Sequence, residues 1–259
     1  MSTVAQQDSR TIINLEGRHA LVTGAASGIG AATVDVLKAA GATVVGVDLT
    51  TPTSTSADAF VEGDVTDIAV RSRALDFLAS APKDAILVNN AGIALQRTLS
   101  DTTPDESRQV FEVNVFAPLF FTQEFASRGY EGAIVNLGSI MSFGAELGTG
   151  VYAVSKAAVA NLTRLAALEY GGRIRVNAVC PGSIRTEMGL ASWIGHHSED
   201  MVESRLSAIY PMGRIGLPTE IAQVIAFLSS DLAAFANGAV WTVDGGLTAA
   251  TAERGLEVL

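Results

Sequence analysis

The 259-residue chain reads as an α/β domain: a doubly wound parallel sheet of seven strands with helices on both faces. Three observations predict it. Short runs rich in Val, Ile and Ala alternate with longer segments of helical period, the pattern of parallel strands joined by crossover helices. Several short runs are apolar on both faces, as a sheet covered on both sides requires. A glycine-rich turn, Thr23 to Gly30, stands between the first such run and the first helical segment, at the carboxyl end of a strand where such sheets bind ligands.

In chain order, the strands are expected at Ala20 to Thr23, Thr43 to Asp48, Ala59 to Glu62, Ile86 to Asn89, Gly132 to Leu137, Ile174 to Cys180 and Ala239 to Val243. The helices between them are expected at Gly30 to Ala40, Val65 to Ser80, Pro104 to Ser127, Tyr152 to Tyr170 and Thr219 to Ser229. Gly41 and Gly171-Gly172 supply helix stops. The stretch Leu49 to Ala57 holds four Thr, two Ser and a Pro, too polar and too short for a crossover helix, and is expected as a loop. No repeat, low-complexity tract or linker interrupts the chain, so residues 1–259 are expected to form one domain, with a polar N-terminal extension over 1–14 and a tail over 247–259.

Composition narrows the function. With 48% hydrophobic and 17% charged residues, the chain can bury one large core. A net charge of -10 opposes sequence-independent attraction to nucleic acid or an anionic membrane, leaving small molecules and other subunits as partners. The first residues lack a basic segment followed by an apolar core, and no uncharged run spans a bilayer; a cytoplasmic protein is expected. Cys180 is the only cysteine, which excludes an intrachain disulfide and a thiolate cluster. It reads as a buried small hydrophobe. Of the three histidines, the adjacent His196 and His197 point in different directions on a helix and make a poor chelate, so no metal site is expected.

Two constellations carry chemistry. Glycines in the Thr23 to Gly30 turn let the backbone approach a pyrophosphate at the helix N-terminus, although a turn that merely packs would look the same. Asp48, ending the second strand, can accept hydrogen bonds from an adenosine ribose and would repel a 2′-phosphate, and Ala26 supplies no cation to hold one. Together these favour NAD. Tyr152 and Lys156 lie four residues apart, on one face of a helix, where an ammonium could draw a phenol's pKa down from about 10 toward neutrality. A packed ring beside a solvated stem has the same spacing.

With these in place, the chain resembles the short-chain dehydrogenase/reductase family from Leu15 to Gly246. The resemblance rests on the glycine turn, Asp64-Val65, Asn89-Asn90-Ala91-Gly92, Asn114, Ser139, Tyr152 with Lys156, and Pro181-Gly182 followed by Thr186, all in the family's order. It implies a Rossmann-like fold and NAD-dependent oxidoreductase activity. It further implies Tyr152 as general acid/base, Lys156 as the residue that binds the nicotinamide ribose and lowers the phenol's pKa, Ser139 as the hydroxyl that holds substrate oxygen, and Asn114 as support for a water-linked proton relay. Gly24, Ser27, Gly28, Ile29 and Gly30 would face the pyrophosphate; Asp48 and Leu49 the ribose; Asp64, Val65, Asn90, Ala91 and Gly92 the adenine side; and Pro181, Gly182, Ile184 and Thr186 the carboxamide end.

Family substrate choice is expected to lie in the lid segment 186–210 and in the residues after Ser139. Met188, Leu190, Trp193 and Ile194 face Ile140, Met141 and Phe143 across the expected cleft, so a hydrophobic secondary alcohol or ketone is the expected substrate, unless these side chains are an ordinary amphipathic face. The trimmed Leu49 to Ala57 crossover, Gly28 to Leu37 and Pro211 to Arg214 resemble hydroxysteroid dehydrogenases of the family, which makes a hydroxysteroid or cyclic alcohol the narrower alternative. An enoyl reductase is disfavoured because such relatives usually space Tyr and Lys more widely. A non-catalytic dinucleotide-binding protein would not need four competent residues at the catalytic positions. A homotetramer built on the helices around Asn114 and Tyr152 is the family expectation, with the tail ending Leu256 to Leu259 either at a subunit contact or frayed.

Overall fold

The computed structural model describes residues 13–189 and 198–249. Its seven strands are β1 (His19–Thr23), β2 (Thr43–Asp48), β3 (Ala59–Glu62), β4 (Ala85–Asn89), β5 (Gly132–Leu137), β6 (Ile174–Pro181) and β7 (Val240–Val243). All pair in parallel in the order β3-β2-β1-β4-β5-β6-β7. The order reverses between β1 and β4, which opens a crevice beyond their carboxyl ends.

The helices are α1 (Gly28–Ala39), α2 (Ile68–Asp76), α3 (Pro104–Phe111), α4 (Ala117–Ser127), α5 (Gly150–Tyr170), α6 (Glu199–Ile209) and α7 (Pro218–Ser229). One sheet face is covered by α1 and α7 through Val34, Leu37, Ile221 and Ile225. The other is covered by α2, α4 and α5 through Ala74, Leu75, Phe121, Phe125, Ala166 and Ala167. Phe121 and Phe125 are fully buried, each contributing about 2–3 kcal/mol by leaving water. Burial on both faces explains why β1 and β4 are apolar without alternation.

Three of the expected helices shift by one or two residues at an end, and two differ in more than that. The segment expected from Val65 begins at Ile68, because Asp64 accepts from Thr66 N in a tight turn and Asp67 caps Ala69 N at 2.7 Å; its last residues, Phe77–Ser80, tighten into a 3₁₀ turn. The helix expected over Pro104 to Ser127 is divided by a π-turn at Glu112–Phe116. There Ala117 N reaches back to Glu112 O, and Pro118, having no N–H, withholds the usual donor from the Asn114 carbonyl. Leu49 to Ala57 contains no helix, as expected. The loop is held by Thr51, whose N and Oγ1 both donate to Glu62 Oε2 at 3.1 and 2.9 Å. Helix α6 was not anticipated by the hydrophobic pattern.

A chain of amides and hydroxyls runs under the sheet. Asn89 Nδ2 donates to Asn136 Oδ1 at 2.8 Å, Asn136 Nδ2 to Thr163 Oγ1 at 2.9 Å, and Thr163 Oγ1 to Val159 O at 2.9 Å. Among the described residues every buried side-chain N and O has a partner, as a well-packed interior demands. No described helix is long and apolar enough to cross a membrane, and no described cluster of His, Cys, Asp and Glu could hold a metal.

Candidate active site

A cleft of about 490 Å³ lies at the carboxyl ends of the strands, with the glycine turn at one end and Tyr152 toward the other. The turn is tightly determined. Gly24 has φ +67° and faces Ala91 Cα so closely that a Cβ would sit 2.8 Å from it. A Cβ on Gly30 would meet the Gly24 carbonyl oxygen at 1.8 Å. Asn90 Nδ2 donates to the carbonyls of Thr23 and Gly24, both at 2.9 Å, while Thr23 Oγ1 accepts from Asn90 N and Ala91 N. The β1 and β4 ends are thereby stitched together. Ser27 precedes α1 without a side-chain cap and lines the cleft with Gly28 and Ile29, where an anionic group would suit both the hydrogen-bonding need of uncapped first-turn N–H groups and the helix dipole.

Asp48 anchors this turn as well as flanking the cleft. Its Oδ2 accepts from Ala26 N at 2.9 Å and its Oδ1 from Leu49 N at 2.7 Å. Gly24, Ser27, Gly28, Ile29, Asp48, Leu49, Asp64, Val65, Asn90, Ala91, Gly92, Pro181, Gly182, Ile184 and Thr186 all line the cleft. Gly30 lies behind it, closing the turn against Gly24 and Asn90. The absence of side chains where the turn meets Ala91, together with the first-turn N–H groups, fits a dinucleotide pyrophosphate.

Helix α5 presents Tyr152 and Lys156 to the cleft. Gly150, at φ +44°, starts it so close to Arg97 that a Cβ would lie 2.6 Å from the Arg97 carbonyl, which fixes how the first turn enters the cleft. Lys156 is 5% exposed; its Nζ lies 5.7 Å from the centroid of the Tyr152 ring and donates to Leu137 O at 2.9 Å. Burial pulls the ammonium down from 10.5 to about 8. Burial also raises the Tyr152 phenol, and the hydrogen bond with Ser139 offsets only part of that. The expected lowering of the phenol by Lys156 is therefore not found in this structure: the ammonium stands over the ring and is spent on a backbone carbonyl, and desolvation of the phenolate dominates.

Ser139 leaves β5 in extended conformation and caps the short turn Ile140–Ser142, its Oγ accepting from Met141 N at 3.2 Å. It lies in the cleft beside Tyr152. Asn114 is 2% exposed and is not among the cleft-lining residues. Its Oδ1 accepts from Ile93 N at 2.8 Å, and its Nδ2 donates to Ile93 O at 2.9 Å and to Ser155 Oγ at 3.1 Å. Asn114 thus acts as a bracket between the 92–93 segment and the Tyr152 turn, since Ser155 Oγ itself donates to Tyr152 O at 2.7 Å. Cys180 is buried, and burial raises its thiol, consistent with an inert core residue.

Toward the substrate end, Met141, Ile140 and Met188 line the cleft, whereas Phe143, 52% exposed, does not. Phe143 turns outward because it follows the one-turn helix that Ser139 caps. Leu190, Trp193 and Ile194 lie outside the described residues. Polar residues absent from the sequence-based reading also line this end: Gln96, Gln109, Thr149 and Glu146. They come from three separate segments, and no spacing in the sequence links them.

A cleft shaped for a dinucleotide, with a phenol, a hydroxyl and an ammonium gathered near one end, belongs to the oxidoreductases that move hydride to or from nicotinamide while a side chain handles the proton. Residues 24–248 match the family model described as enoyl-(acyl carrier protein) reductase. Galactitol 2-dehydrogenase (L-tagatose-forming) of Cereibacter sphaeroides is 39% identical, over 93% of this chain and 99% of that one. The NADP-dependent (R)-specific alcohol dehydrogenase of Lentilactobacillus kefiri is 36% identical, over 91% and 98%. Among solved structures, ligand-free aldohexose dehydrogenase of Thermoplasma acidophilum superposes with a TM-score of 0.84 at 31% identity, covering 92% of this chain and 96% of that one. The chain belongs to the short-chain dehydrogenase/reductase family, and it is an oxidoreductase of the kind that acts on the CH–OH group of alcohols.

Proposed function

We propose that the protein oxidises a secondary alcohol, or reduces the matching ketone, using NAD(H), with Tyr152 exchanging the hydroxyl proton. The observation that carries the reading is the convergence of Tyr152, Ser139 and Lys156 at one end of a cleft whose other end is the glycine turn. Bound NAD supplies the hydride acceptor. The chain's own residues do the rest. Ser139 Oγ holds the substrate oxygen; in the reducing direction the Tyr152 hydroxyl gives its proton to that oxygen as hydride reaches the carbon, in the oxidising direction the Tyr152 phenolate takes the proton back, and Lys156 holds the neighbouring ribose hydroxyls. Asn114 keeps the Tyr152 turn and residue 93 in register, so the reacting oxygen meets a fixed phenol. Asp48 supports NAD over NADP: a carboxylate already bonded to the turn would face a 2′-phosphate with like charge.

Met141, Ile140 and Met188 favour an alcohol with an apolar body, cyclic or steroidal alcohols included. Gln96, Gln109 and Glu146 favour a second reading, a polyhydroxylated substrate, in keeping with the galactitol and aldohexose activities named for the relatives. A homotetramer in the cytoplasm is the assembly we propose, resting on exposed Phe116 and Phe120 in and beside α4 and Val154, Leu165 and Leu168 on α5.

The test is a panel of aliphatic, cyclic and steroidal alcohols and hexitols, offered with NAD or NADP to the parent and to Tyr152→Phe, followed by nicotinamide absorbance. The parent should oxidise one class with NAD preferred. Tyr152→Phe should lose about 10²–10⁴ in rate while binding NADH as the parent does. Full activity in that variant sinks the assignment, tighter NADPH binding sinks the role of Asp48, and the class oxidised decides between the two substrates.

A further inference from the structure

Behind the loop formed by residues 182–186 stands Tyr210, which takes no part in the steps above. It caps the carboxyl end of α6, is 5% exposed, and packs with Val202, Leu206 and Ile215 in a small core separate from the two sheet cores. Its hydroxyl oxygen accepts from Ser183 N at 2.5 Å. The ring fits there because residue 182 is glycine: a Cβ would lie 2.8 Å from the Tyr210 hydroxyl and 3.0 Å from Cε1. From the same stretch of chain, Gly216 N donates to Ser183 O at 3.0 Å and accepts through its carbonyl from Arg185 N at 2.9 Å. Residues 210–216 therefore enclose the back of the loop, while Gly182, Ile184 and Thr186 line the cleft in front.

We propose that Tyr210 is a positioning residue: through Ser183 N–H it sets the loop that receives the nicotinamide end of the dinucleotide, and it couples that loop to helix α6. The proposal rests on the dinucleotide reading above. A backbone N–H gripped by a phenol at the end of one helix cannot shift without moving that helix. Removing the oxygen leaves the ring packing intact and an amide without its acceptor, so the effect falls on the loop's position and on the ligand portion it contacts. The adenine, ribose and pyrophosphate portions, held by the glycine turn, Asp48 and Asp64-Val65, are untouched.

The experiment compares NADH with ADP-ribose, which lacks the nicotinamide end, by calorimetric titration of the parent and of Tyr210→Phe. The variant should bind NADH about fivefold more weakly, the loss of one ordinary hydrogen bond, and ADP-ribose as the parent does. Equal loss for both ligands, or none for either, overturns the proposal, since a merely structural role would not separate them. Hydrogen–deuterium exchange on the unmutated chain gives a test that does not depend on the variant's folding. NADH should protect residues 181–186 and 198–210 together, and ADP-ribose neither; protection of the loop alone overturns the coupling. A parent that binds neither ligand overturns the dinucleotide reading itself. A parent that binds both, with a variant that keeps their ratio, overturns only the role of Tyr210.

Discussion

Replacing Lys156 by Met should stabilise the ligand-free protein at neutral pH while destroying its activity. Lys156 is 5% exposed, makes one hydrogen bond to the Leu137 carbonyl, and is joined to no carboxylate among the described residues. The fall of its ammonium from 10.5 to about 8, at about 1.4 kcal/mol per tenfold change in proton affinity, corresponds to about 3 kcal/mol of penalty for burying the charge. Methionine fills a similar unbranched volume without that penalty but forfeits the bond to Leu137, worth about 1.5 kcal/mol. A net gain of about 1–2 kcal/mol is expected at pH 7. The sign with pH follows from linkage. The unfolded lysine holds its proton up to about 10.5 and the folded one only up to about 8, so the parent's stability rises with pH between those values. The variant's advantage should shrink by about 2 kcal/mol from pH 7 to pH 10. Urea unfolding at the two pH values reads it directly. A variant less stable than the parent at pH 7, or an advantage that does not change with pH, would refute the reasoning.

Two further substitutions probe the frame of the site. Gly30→Ala drives a Cβ to 1.8 Å from the Gly24 carbonyl; it should open the turn, cost about 1–3 kcal/mol and abolish measurable NADH binding, and an unchanged NADH titration would show that the turn is not the binding element. Asn114→Ala strips the partners of Ile93 N and O and one partner of Ser155 Oγ; a loss of about 2–4 kcal/mol in urea unfolding is expected from the buried groups left unpaired, with a kcat that falls further than stability alone explains, and a stable variant of full activity contradicts the bracket role.

Much of this architecture was legible in the sequence because burial on both faces writes a strand as an unbroken apolar run: β2 and β5 begin and end where the apolar runs place them. The glycine turn and the α5 pair were legible for a different reason, since backbone approach and helix spacing are local. What escaped was decided by tertiary partners. The bracket between Asn114 and Ile93 spans twenty-one residues, and the direction of the Tyr152 shift depends on how deeply α5 is seated, which spacing does not reveal. The polar side of the cleft, Gln96, Gln109 and Glu146, is assembled from three segments and has no signature in any of them. Helix α6 has a mixed face packed on a small core of its own, so its periodicity is weak.

The amides beneath the sheet bear on how finely the Tyr152 phenol can be placed. Thr163, the last link from Asn89 through Asn136, lies eleven residues beyond Tyr152 on α5, about three turns and 16 Å along the same face. Sliding or rotating that helix by even part of a turn would leave a buried amide without its partner. The helix therefore has a single allowed setting, like a rule read against a fixed mark. Errors of placement at the cleft are excluded by chemistry far from it, and softening this distant mark would blur the aim of the phenol before it loosened the fold.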